Sequence, residues 1–505
     1  MNSSVALFHN FSGRDLPDYS KKKFNSMLVE NGKIIETDFE LETRLRYADV
    51  PKIDLQGAIV FPAFADAHVH FMQTGLMLQG CSLDNAVCID DVLNLLSEYQ
   101  KKCSDEWILA WNLDETNLRE NRLPTLKELD RAVGRKRLWL SRVDLHSAVP
   151  NTAASAWARN IIPDATLEEG RFVKKTYESL TNRIMTEISR EMKLNALRLA
   201  KQVCLTKGVS TIHALEGGWG APDDDVQMIA DYLEQPGFHG VLYHQSEDPS
   251  LAEKNGWPRL GGCLFIDGSF GSRTAALSQP YFDDETTSGI MYRDSEQIEA
   301  LVRMCGDKNL QLAMHAIGDK AIHTLVSVHR LCMDVYGKRP LPHRIEHFEL
   351  PLDRSIQAAK EADLYISVQP AFEVFWGGPN GMYSRRLGSR RTERTNPFKT
   401  LLNCGLPLAG GSDSPVTPVD PFLGIHGFVN HPTEDERIDL NSALAAFTLE
   451  PHRFAGEDGS RGRLRKGYRA DFVCLGEDPF NVPDARIKDI HIAKLFIDGE
   501  EKNTE

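Results

Sequence analysis

The sequence predicts an α/β protein with a parallel sheet in the middle of the chain and antiparallel β structure at both ends. In the middle, short apolar segments alternate with helical patterns, which is typical of βα units. Near both ends, apolar segments are instead separated by tight-turn signals. Of the 505 residues, 41% are hydrophobic and 26% are charged, which is the composition of an ordinary globular protein. We therefore expect a folded chain with a sizeable core.

The N-terminal β structure is predicted over residues 23–58. Short apolar runs alternate there with turn signals, and Asn31-Gly32 is a strong hairpin signal. Residues 470–475 and 491–499 near the C terminus show the same texture. We expect the two ends of the chain to share one sheet.

The parallel sheet is predicted from apolar segments between helical patterns, at residues 209–213, 264–267, 310–315, 364–368 and 406–409. The helix before the last of these has clear boundary signals. Asn396 suits the N-cap, Pro397 the first helical position and Gly405 the left-handed C-terminal position. A single α/β barrel with insertions can use most of a chain of this length. We expect the less regular residues 78–166 to be an insertion that covers one end of such a barrel.

Charge and cysteine content limit the partners and the compartment. The net charge is −14, and no run of lysine and arginine exceeds three residues, so nucleic acid and anionic membranes are not expected partners. A small-molecule substrate is expected, and a homo-oligomer is left open. The nine cysteines are scattered and never form a C-x-x-C pair, which favours reduced thiols. With neither a secretory signal pattern nor an apolar run long enough to span a membrane, we expect a cytoplasmic protein.

Four separate predicted strands end in an imidazole or a carboxylate. His68 and His70 are two residues apart, so both can face the same side of one strand. His315, His347 and Asp413 follow other apolar segments. Each alone is more often a structural histidine or a turn aspartate. Because a barrel brings its strand ends to one face, the set together predicts a metal centre.

The chain resembles the amidohydrolase superfamily, in particular amidohydrolase family 3, from Met27 to about Gly499. The resemblance lies in ordered blocks: F-x-D-x-H-x-H at 64–70, a D-G-H-like block at 142–147, D-G-S-x-G-S-R-T-A-A-L at 267–277, H-A-I-G-D at 315–319, R-I-E-H at 344–347, G-S-D-x-P at 411–415 and G-x-L-x-x-G-x-x-A-D-F at 462–472. It implies a (β/α)8 TIM-like barrel with a small β-sandwich formed from both chain ends. The expected domains are residues 1–60 and 461–505 for the two parts of the sandwich and 61–460 for the barrel.

The resemblance also implies the site residues and the reaction. The metal ligands would be His68, His70, His315, His347 and Asp413, holding one or two Zn²⁺ ions that activate a water. Asp413 would be the catalytic proton shuttle. The implied enzyme is an amidohydrolase that cleaves a carbon–nitrogen bond other than a peptide bond, in an amide, formamide or cyclic amide. A deaminase or esterase on the same centre and a non-catalytic assembly module are the alternatives.

Two positions depart from the family pattern. Cys263 stands four residues before Asp267, where many members have lysine, and segment 170–174 ends in Lys174 where many have glutamate. A carboxylated Lys174 is predicted as a bridging metal ligand, because the carbamate of a desolvated lysine is an oxygen-bearing anion. The alternative is that Lys174 and Lys175 are a solvated pair and that no bridge is present.

Three further residues are predicted to bind substrate. His146 could contact substrate or an oxyanion, or make a structural hydrogen bond. Asp267 and Arg273 could close the site, or form a purely structural ion pair.

Overall fold

The computed structural model describes residues 5–38, 47, 49–142, 147–218 and 222–503, apart from four side chains: Thr116, Lys174, Lys175 and Glu178. The chain divides into two compact units. The first comprises Met1–His70, Gln202–Glu216 and Leu233–Glu505, and the second comprises Phe71–Lys201 and Gly217–Tyr232. The domain boundaries at residues 60 and 460 stay predictions.

The strands in the described part of the chain are numbered in chain order: β1 Val5–Gly13, β2 Phe24–Glu30, β3 Lys33–Thr37, β4 Lys52–Pro62, β5 Phe64–Val69, β6 Cys81–Ser82, β7 Trp107–Leu113, β8 Arg137–Arg142, β9 Ser147–Pro150, β10 Phe172–Val173, β11 Val209–Gly217, β12 His239–Gln245, β13 Arg259–Phe265, β14 Gln311–Ala316, β15 Arg344–His347, β16 Tyr365–Val368, β17 Leu408–Gly410, β18 Phe472–Leu475, β19 Ile492–Ile497 and β20 Glu500–Lys502.

The α-helices in the same described residues are Phe71–Gln79, Ile89–Lys102, Leu126–Val133, Thr152–Ile161, Lys174–Glu187, Arg190–Thr206, Asp223–Leu233, Ser250–Asn255, Ser295–Asp307, Asp319–Tyr336, Asp353–Glu361, Ala371–Trp376, Met382–Leu387, Ser389–Thr392, Phe398–Asn403, Pro421–Val429, Leu440–Ala446 and Leu449–Ala455. Short 3₁₀ turns lie at Glu115–Asn117, Glu434–Glu436 and Asp484–Asp489. No helix among the described residues is both long and apolar enough to cross a membrane.

Eight strands form a nearly closed barrel, which confirms the predicted fold class. Their order is β5-β11-β12-β13-β14-β15-β16-β17, and the pairs are parallel where their register is defined, as between β14 and β15. Beyond the strand ends, Val69 and Ser414 form a parallel bridge. The amide of Asp413 also donates to the carbonyl of His68 at 2.8 Å. These contacts join the last strand to the first, so all eight carboxyl ends open on one face.

Both ends of the chain enter one seven-stranded sheet, as predicted, in the order β20-β19-β18-β4-β1-β2-β3. Strand β18 pairs antiparallel with β4, which leads directly into the barrel. The β2–β3 hairpin turns at Asn31 and Gly32, both with positive φ, as its Asn-Gly sequence requires. Phe8 packs edge-on against the stacked pair Phe472 and Phe496 in the sheet's core.

The second unit has a sheet of its own, in the order β10-β9-β8-β7-β6. Strands β6, β7 and β8 run parallel, whereas β9 is antiparallel to both of its neighbours. The helix Leu126–Val133 begins with a capping box in which Thr125 and Glu128 bind each other's backbone amides. Leu129 and Val133 on this helix are fully buried and belong to the same apolar cluster as strands β7 and β8.

The helix before β17 forms where predicted, but its N-cap was predicted wrongly. The helix is Phe398–Asn403, and Pro397, not Asn396, precedes its first residue. The Asn396 amide instead donates to the buried carboxylate of Glu373 at 2.8 Å, and a carboxylate is a stronger acceptor than most. Gly405 has φ 81°, which confirms its left-handed position.

Candidate metal centre

The carboxyl ends of five barrel strands bring six potential metal-binding side chains together. Parallel strands in a barrel end on the same face, so residues far apart in sequence meet there. The side chains are His68 and His70 at the end of β5, Cys263 on β13, His315 on β14, His347 at the end of β15 and Asp413 after β17.

One group of ligands surrounds the carboxylate of Asp413. Its Oδ1 lies 3.1 Å from Nε2 of His68 and 3.2 Å from Nε2 of His70. The potential ligand atoms of the three residues lie within 4.8 Å of one another. Two imidazole nitrogens and one carboxylate oxygen are a donor set that suits Zn²⁺ and related divalent ions.

A second group adjoins the first and contains the sulfur of Cys263. Its Sγ lies 3.5 Å from Nδ1 of His315 and 3.9 Å from Nε2 of His347. His68 is near this group as well, since its potential ligand atom lies within 4.8 Å of those of Cys263 and His347. The ring centroids of His315 and His347 are 4.4 Å apart. The two groups therefore form one continuous cluster.

The far ring nitrogens of three histidines are held by acceptors. Nδ1 of His68 lies 2.8 Å from the Glu346 carboxylate, and Nδ1 of His70 lies 3.2 Å from the carbonyl of Leu215. Nε2 of His315 lies 3.2 Å from the carbonyl of Gly268. Each of these contacts places the ring proton on the far nitrogen, which leaves a lone pair on the nitrogen that faces the cluster. Metal-binding histidines are typically oriented in this way.

Several buried polar atoms of the cluster lack hydrogen-bond partners within the protein: Nε2 of His68, Nδ1 of His347 and Oδ1 of Asp413. Their side chains are buried, with exposed fractions of 0%, 2% and 6%. A buried polar atom without a partner costs free energy. A cation between Nε2 of His68 and Oδ1 of Asp413 would bind the lone pairs of both atoms, so these residues fit a divalent metal.

Backbone strain positions two of these side chains. His347 has φ 73°, Phe348 has φ 56° and Asp413 has φ 55°, although non-glycine residues rarely have positive φ. Each such residue costs about 1–3 kcal/mol and persists where the surroundings impose it. The amide of Phe348 is held by the carbonyl of Ala316 at 3.0 Å, and that of Asp413 is held by His68 as described above. This backbone conformation directs the side chains of His347 and Asp413 toward the centre.

A buried carboxylate ties the first strand to the last beneath the ligands. Oδ1 of Asp66 accepts the amide of His68 at 3.1 Å and that of Ser412 at 2.9 Å. Burial raises the pKa of Asp66 to about 6, even though these amides favour the ionised form. Asp66 therefore fixes the separation between His68 and Asp413.

The electrostatics of the centre favour positive charge. Burial raises the pKa of Asp413, but the charge of His68 more than offsets this and holds the pKa well below its usual range. Burial lowers the pKa of His70, but the Asp413 carboxylate beside its Nε2 more than offsets this and raises the pKa to about 10. Burial raises the pKa of the Cys263 thiol, whereas the charge of His315 lowers it well below its usual value. A metal cation would compete with the protons that these side chains bind, so metal binding is expected to weaken in acid.

Two of the predicted substrate-binding residues have other partners in the structure. Asp267 is fully buried, and its carboxylate accepts the amides of Ile317, Gly318 and Ala276 at 2.8–3.0 Å. Arg273 forms a two-point pair with Asp283 at 3.0 and 2.9 Å. This geometry favours structural roles for both. The partner of Arg273 in its ion pair is Asp283, whereas Asp267 is held by backbone amides.

Two other predicted residues cannot be placed against the centre. His146 lies outside the described residues. The backbone of Lys174 begins the helix Lys174–Glu187 in the second unit, but its side chain lies outside the described ones. The roles of both residues stay predictions.

The sequence analysis missed the place of Cys263 in this cluster and any role for Arg344 and Glu346. Arg344 and Glu346 are fully buried on β15, and Arg344 contacts both carboxylate oxygens of Glu346 through Nε and Nη2, the latter at 2.7 Å. A signal was present, because opposite charges two residues apart face the same side of a strand. For Cys263, the signal was its position four residues before Asp267 in a strand that leads to the site.

Comparison with known proteins agrees with the fold. A solved structure of an uncharacterized metal-dependent hydrolase from Pyrococcus horikoshii OT3 matches with a TM-score of 0.81 and 26% identity, covering 95% of this chain and 99% of that one. The protein YtcJ of Bacillus subtilis (strain 168) is 27% identical, covering 94% of this chain and 95% of its own. N-substituted formamide deformylase of Arthrobacter pascens is 20% identical, with 94% of each chain covered. The model of the amidohydrolase family matches residues 52–501, and the chain belongs to this family.

Proposed function

We propose that the protein is a Zn²⁺-dependent hydrolase that cleaves a carbon–nitrogen bond, other than a peptide bond, in a small amide, formamide or cyclic amide. One observation carries the proposal. The ionised carboxylate of Asp413 lies between two imidazoles, 3.1 and 3.2 Å away, at the carboxyl face of the barrel. A proton acceptor beside a metal position is what hydrolysis of an amide requires.

The comparisons support this choice of bond. The name of the Arthrobacter pascens relative specifies removal of a formyl group from an N-substituted formamide, and that bond joins carbon to nitrogen.

The proposal extends to the location of the protein and the size of its substrate. All nine cysteines are free, which suits a protein of the reducing cytoplasm. A small molecule is the proposed substrate, because the protein is acidic and has no basic run that would bind nucleic acid.

In the proposed reaction, His68, His70, His315, His347 and Asp413 would hold a divalent cation, which would supply an activated water and polarise the substrate carbonyl. Asp413 accepts the proton that the attacking water loses and donates it to the leaving nitrogen. Glu346 keeps the Nδ1 proton of His68 in place, so that Nε2 stays a ligand. Asp66 holds the strands of His68 and Asp413 at a constant separation.

The substitution Asp413→Asn tests the proposal. We expect turnover of a hydrolysed amide to fall by a factor on the order of 10² or more, as on removal of a general acid–base group. Bound metal must be quantified in the same preparations, because loss of the ion would imitate the effect. Asp435→Asn, at an exposed position, is the matched control and should retain full rate. An Asp413→Asn variant with full metal and normal turnover would exclude the proton-transfer role.

A further inference from the structure

We propose that the sulfur of Cys263 is itself a metal ligand, so that the centre contains a thiolate and selects thiophilic cations such as Zn²⁺, Co²⁺ and Cd²⁺ over Mg²⁺ and Ca²⁺. The inference deepens the proposed function and rests on it only in requiring a divalent cation at this centre. It places at β13 the anionic ligand that the sequence analysis assigned to Lys174.

The distances around Cys263 are those of ligands that share an ion. With Zn–N bonds of about 2.1 Å and Zn–S bonds of about 2.3 Å, two such ligands at a tetrahedral angle lie roughly 3.6 Å apart. Sγ of Cys263 lies 3.5 Å from His315 and 3.9 Å from His347. An ion placed among these three atoms therefore reaches all of them with little movement of the side chains.

The ring nitrogens that face the sulfur are suited to bind the same ion. Nε2 of His315 lies against the carbonyl of Gly268, so its Nδ1 presents a lone pair toward Cys263. Nε2 of His347 is the atom of that ring nearest to the sulfur. The buried Nε2 of His68 has no hydrogen-bond partner, and its residue belongs to the same set of potential ligands as Cys263 and His347.

A purely structural role for Cys263 fits the surroundings less well. Buried cysteines usually behave as small apolar side chains. Cys474 is such a case, since it is 2% exposed and belongs to the apolar cluster that includes Phe8, Phe472 and Phe496. Cys263 is 4% exposed and also borders an apolar cluster, but unlike Cys474 its sulfur lies 3.5 and 3.9 Å from two imidazole nitrogens. Cys474 therefore provides a matched control for a buried thiol outside the centre.

A thiolate changes which ions the centre prefers. Thiolate ligands favour Zn²⁺ and other soft or borderline ions, whereas Mg²⁺ and Ca²⁺ favour carboxylate, carbonyl and water oxygens. Together with Asp413, a Cys263 thiolate supplies two negative charges, which balance one divalent ion. The four neutral imidazoles complete the donor set and add no charge.

Cobalt spectroscopy of the metal-free full-length protein tests the inference without reference to activity. A Co²⁺–thiolate bond gives near-ultraviolet charge-transfer absorption, which imidazole and carboxylate ligands do not produce. We expect this band on addition of Co²⁺ to the wild-type protein and to Cys474→Ser. We expect its loss in Cys263→Ser, with the visible bands of bound Co²⁺ retained. An excess of Mg²⁺ should leave the wild-type band unchanged.

Two results would overturn the inference: wild-type protein that binds Co²⁺ without the charge-transfer band, or Cys263→Ser protein that retains the band. If Cys263→Ser does not fold, Cys263→Ala replaces it, and the wild-type measurement still decides against the inference if the band is absent. The proposed hydrolysis fails separately. A wild-type protein with the band that cleaves no amide would contradict the proposed reaction and leave the thiolate ligand supported.

Discussion

His68 is oriented by a buried chain of charged side chains inside the barrel. Arg344 contacts both oxygens of Glu346, and it also lies 2.8 Å from Nδ1 of His213 and 2.7 Å from the carbonyl of Ala67. Burial raises the pKa of Glu346, but the charge of Arg344 more than offsets this, so the carboxylate stays ionised. An ionised Glu346 is a strong acceptor for the Nδ1 proton of His68. Metal affinity should therefore depend on residues that never touch the metal.

The substitution Glu346→Gln is expected to weaken Zn²⁺ binding by about 10–100-fold, the usual cost of losing such an outer contact. It also leaves the buried Arg344 without its counter-charge, and removal of one partner from a buried pair costs about 3–5 kcal/mol of stability. Zn²⁺ affinity is measured by competition with a chelator, and stability by urea unfolding. Glu434→Gln, whose side chain is 80% exposed, is the control. Unchanged affinity in Glu346→Gln would mean that other contacts suffice to orient His68.

At the scale of the element, the close approach of β5 and the end of β17 requires glycine at position 411. A Cβ on Gly411 would lie 2.6 Å from the backbone nitrogen of His68 and 2.7 Å from its Cβ. Real Cβ atoms do not approach so closely, and the neighbouring atoms belong to a strand that cannot rotate away. The glycine of the G-S-D-x-P block is thus explained by packing against the H-x-H strand.

We expect Gly411→Ala to lower the free energy of unfolding by about 1–3 kcal/mol through overpacking. The two strands that carry His68 and Asp413 would be forced apart, so bound metal should fall as well. Gly459→Ala is the matched control, because a Cβ there meets nothing within 4 Å. Urea unfolding and metal analysis measure both effects. Equal stability of the two variants would show that the strands adjust at no cost.

At the scale of the whole molecule, buried neutral histidines link stability to pH. His329 is 4% exposed on the helix Asp319–Tyr336, and its Nε2 has no hydrogen-bond partner. Burial, followed by the nearby charge of Arg339, lowers its pKa from 6.5 to about 3. The unfolded chain therefore takes up this proton at a higher pH than the folded protein does.

The free energy of unfolding is expected to be insensitive to His329 above pH 6.5 and to fall as the pH drops from 6.5 toward 3. The slope from this group approaches about 1.4 kcal/mol per pH unit. In His329→Phe, which fills the same buried space without titrating, the loss between pH 6 and about pH 4 should be smaller. Urea unfolding at several pH values measures the difference. Parallel pH profiles for the two proteins would exclude a contribution from His329.

Much of the architecture could be predicted because it depends on local sequence. The Asn31-Gly32 hairpin follows from the backbone conformations that these residues adopt readily, and Gly405 ends its helix for the same reason. The barrel strands follow from the alternation of apolar segments and helices. The strand-end positions of His68, His70, His315, His347 and Asp413 were also readable, because each lies beside an apolar segment.

Only the tertiary structure decided which distant residues meet. Cys263 is 52 residues from His315, and their approach depends on the register between β13 and β14. The carboxylate of Asp267 accepts backbone amides from residues up to 51 positions away. Arg273 pairs with Asp283, and the loop that connects them has no periodic sequence pattern. The side-chain amide of Asn396 donates to Glu373, and Pro397 is the residue that precedes the helix. Such pairings depend on distances created by packing, whereas sequence patterns report mainly the conformational preferences of neighbouring residues.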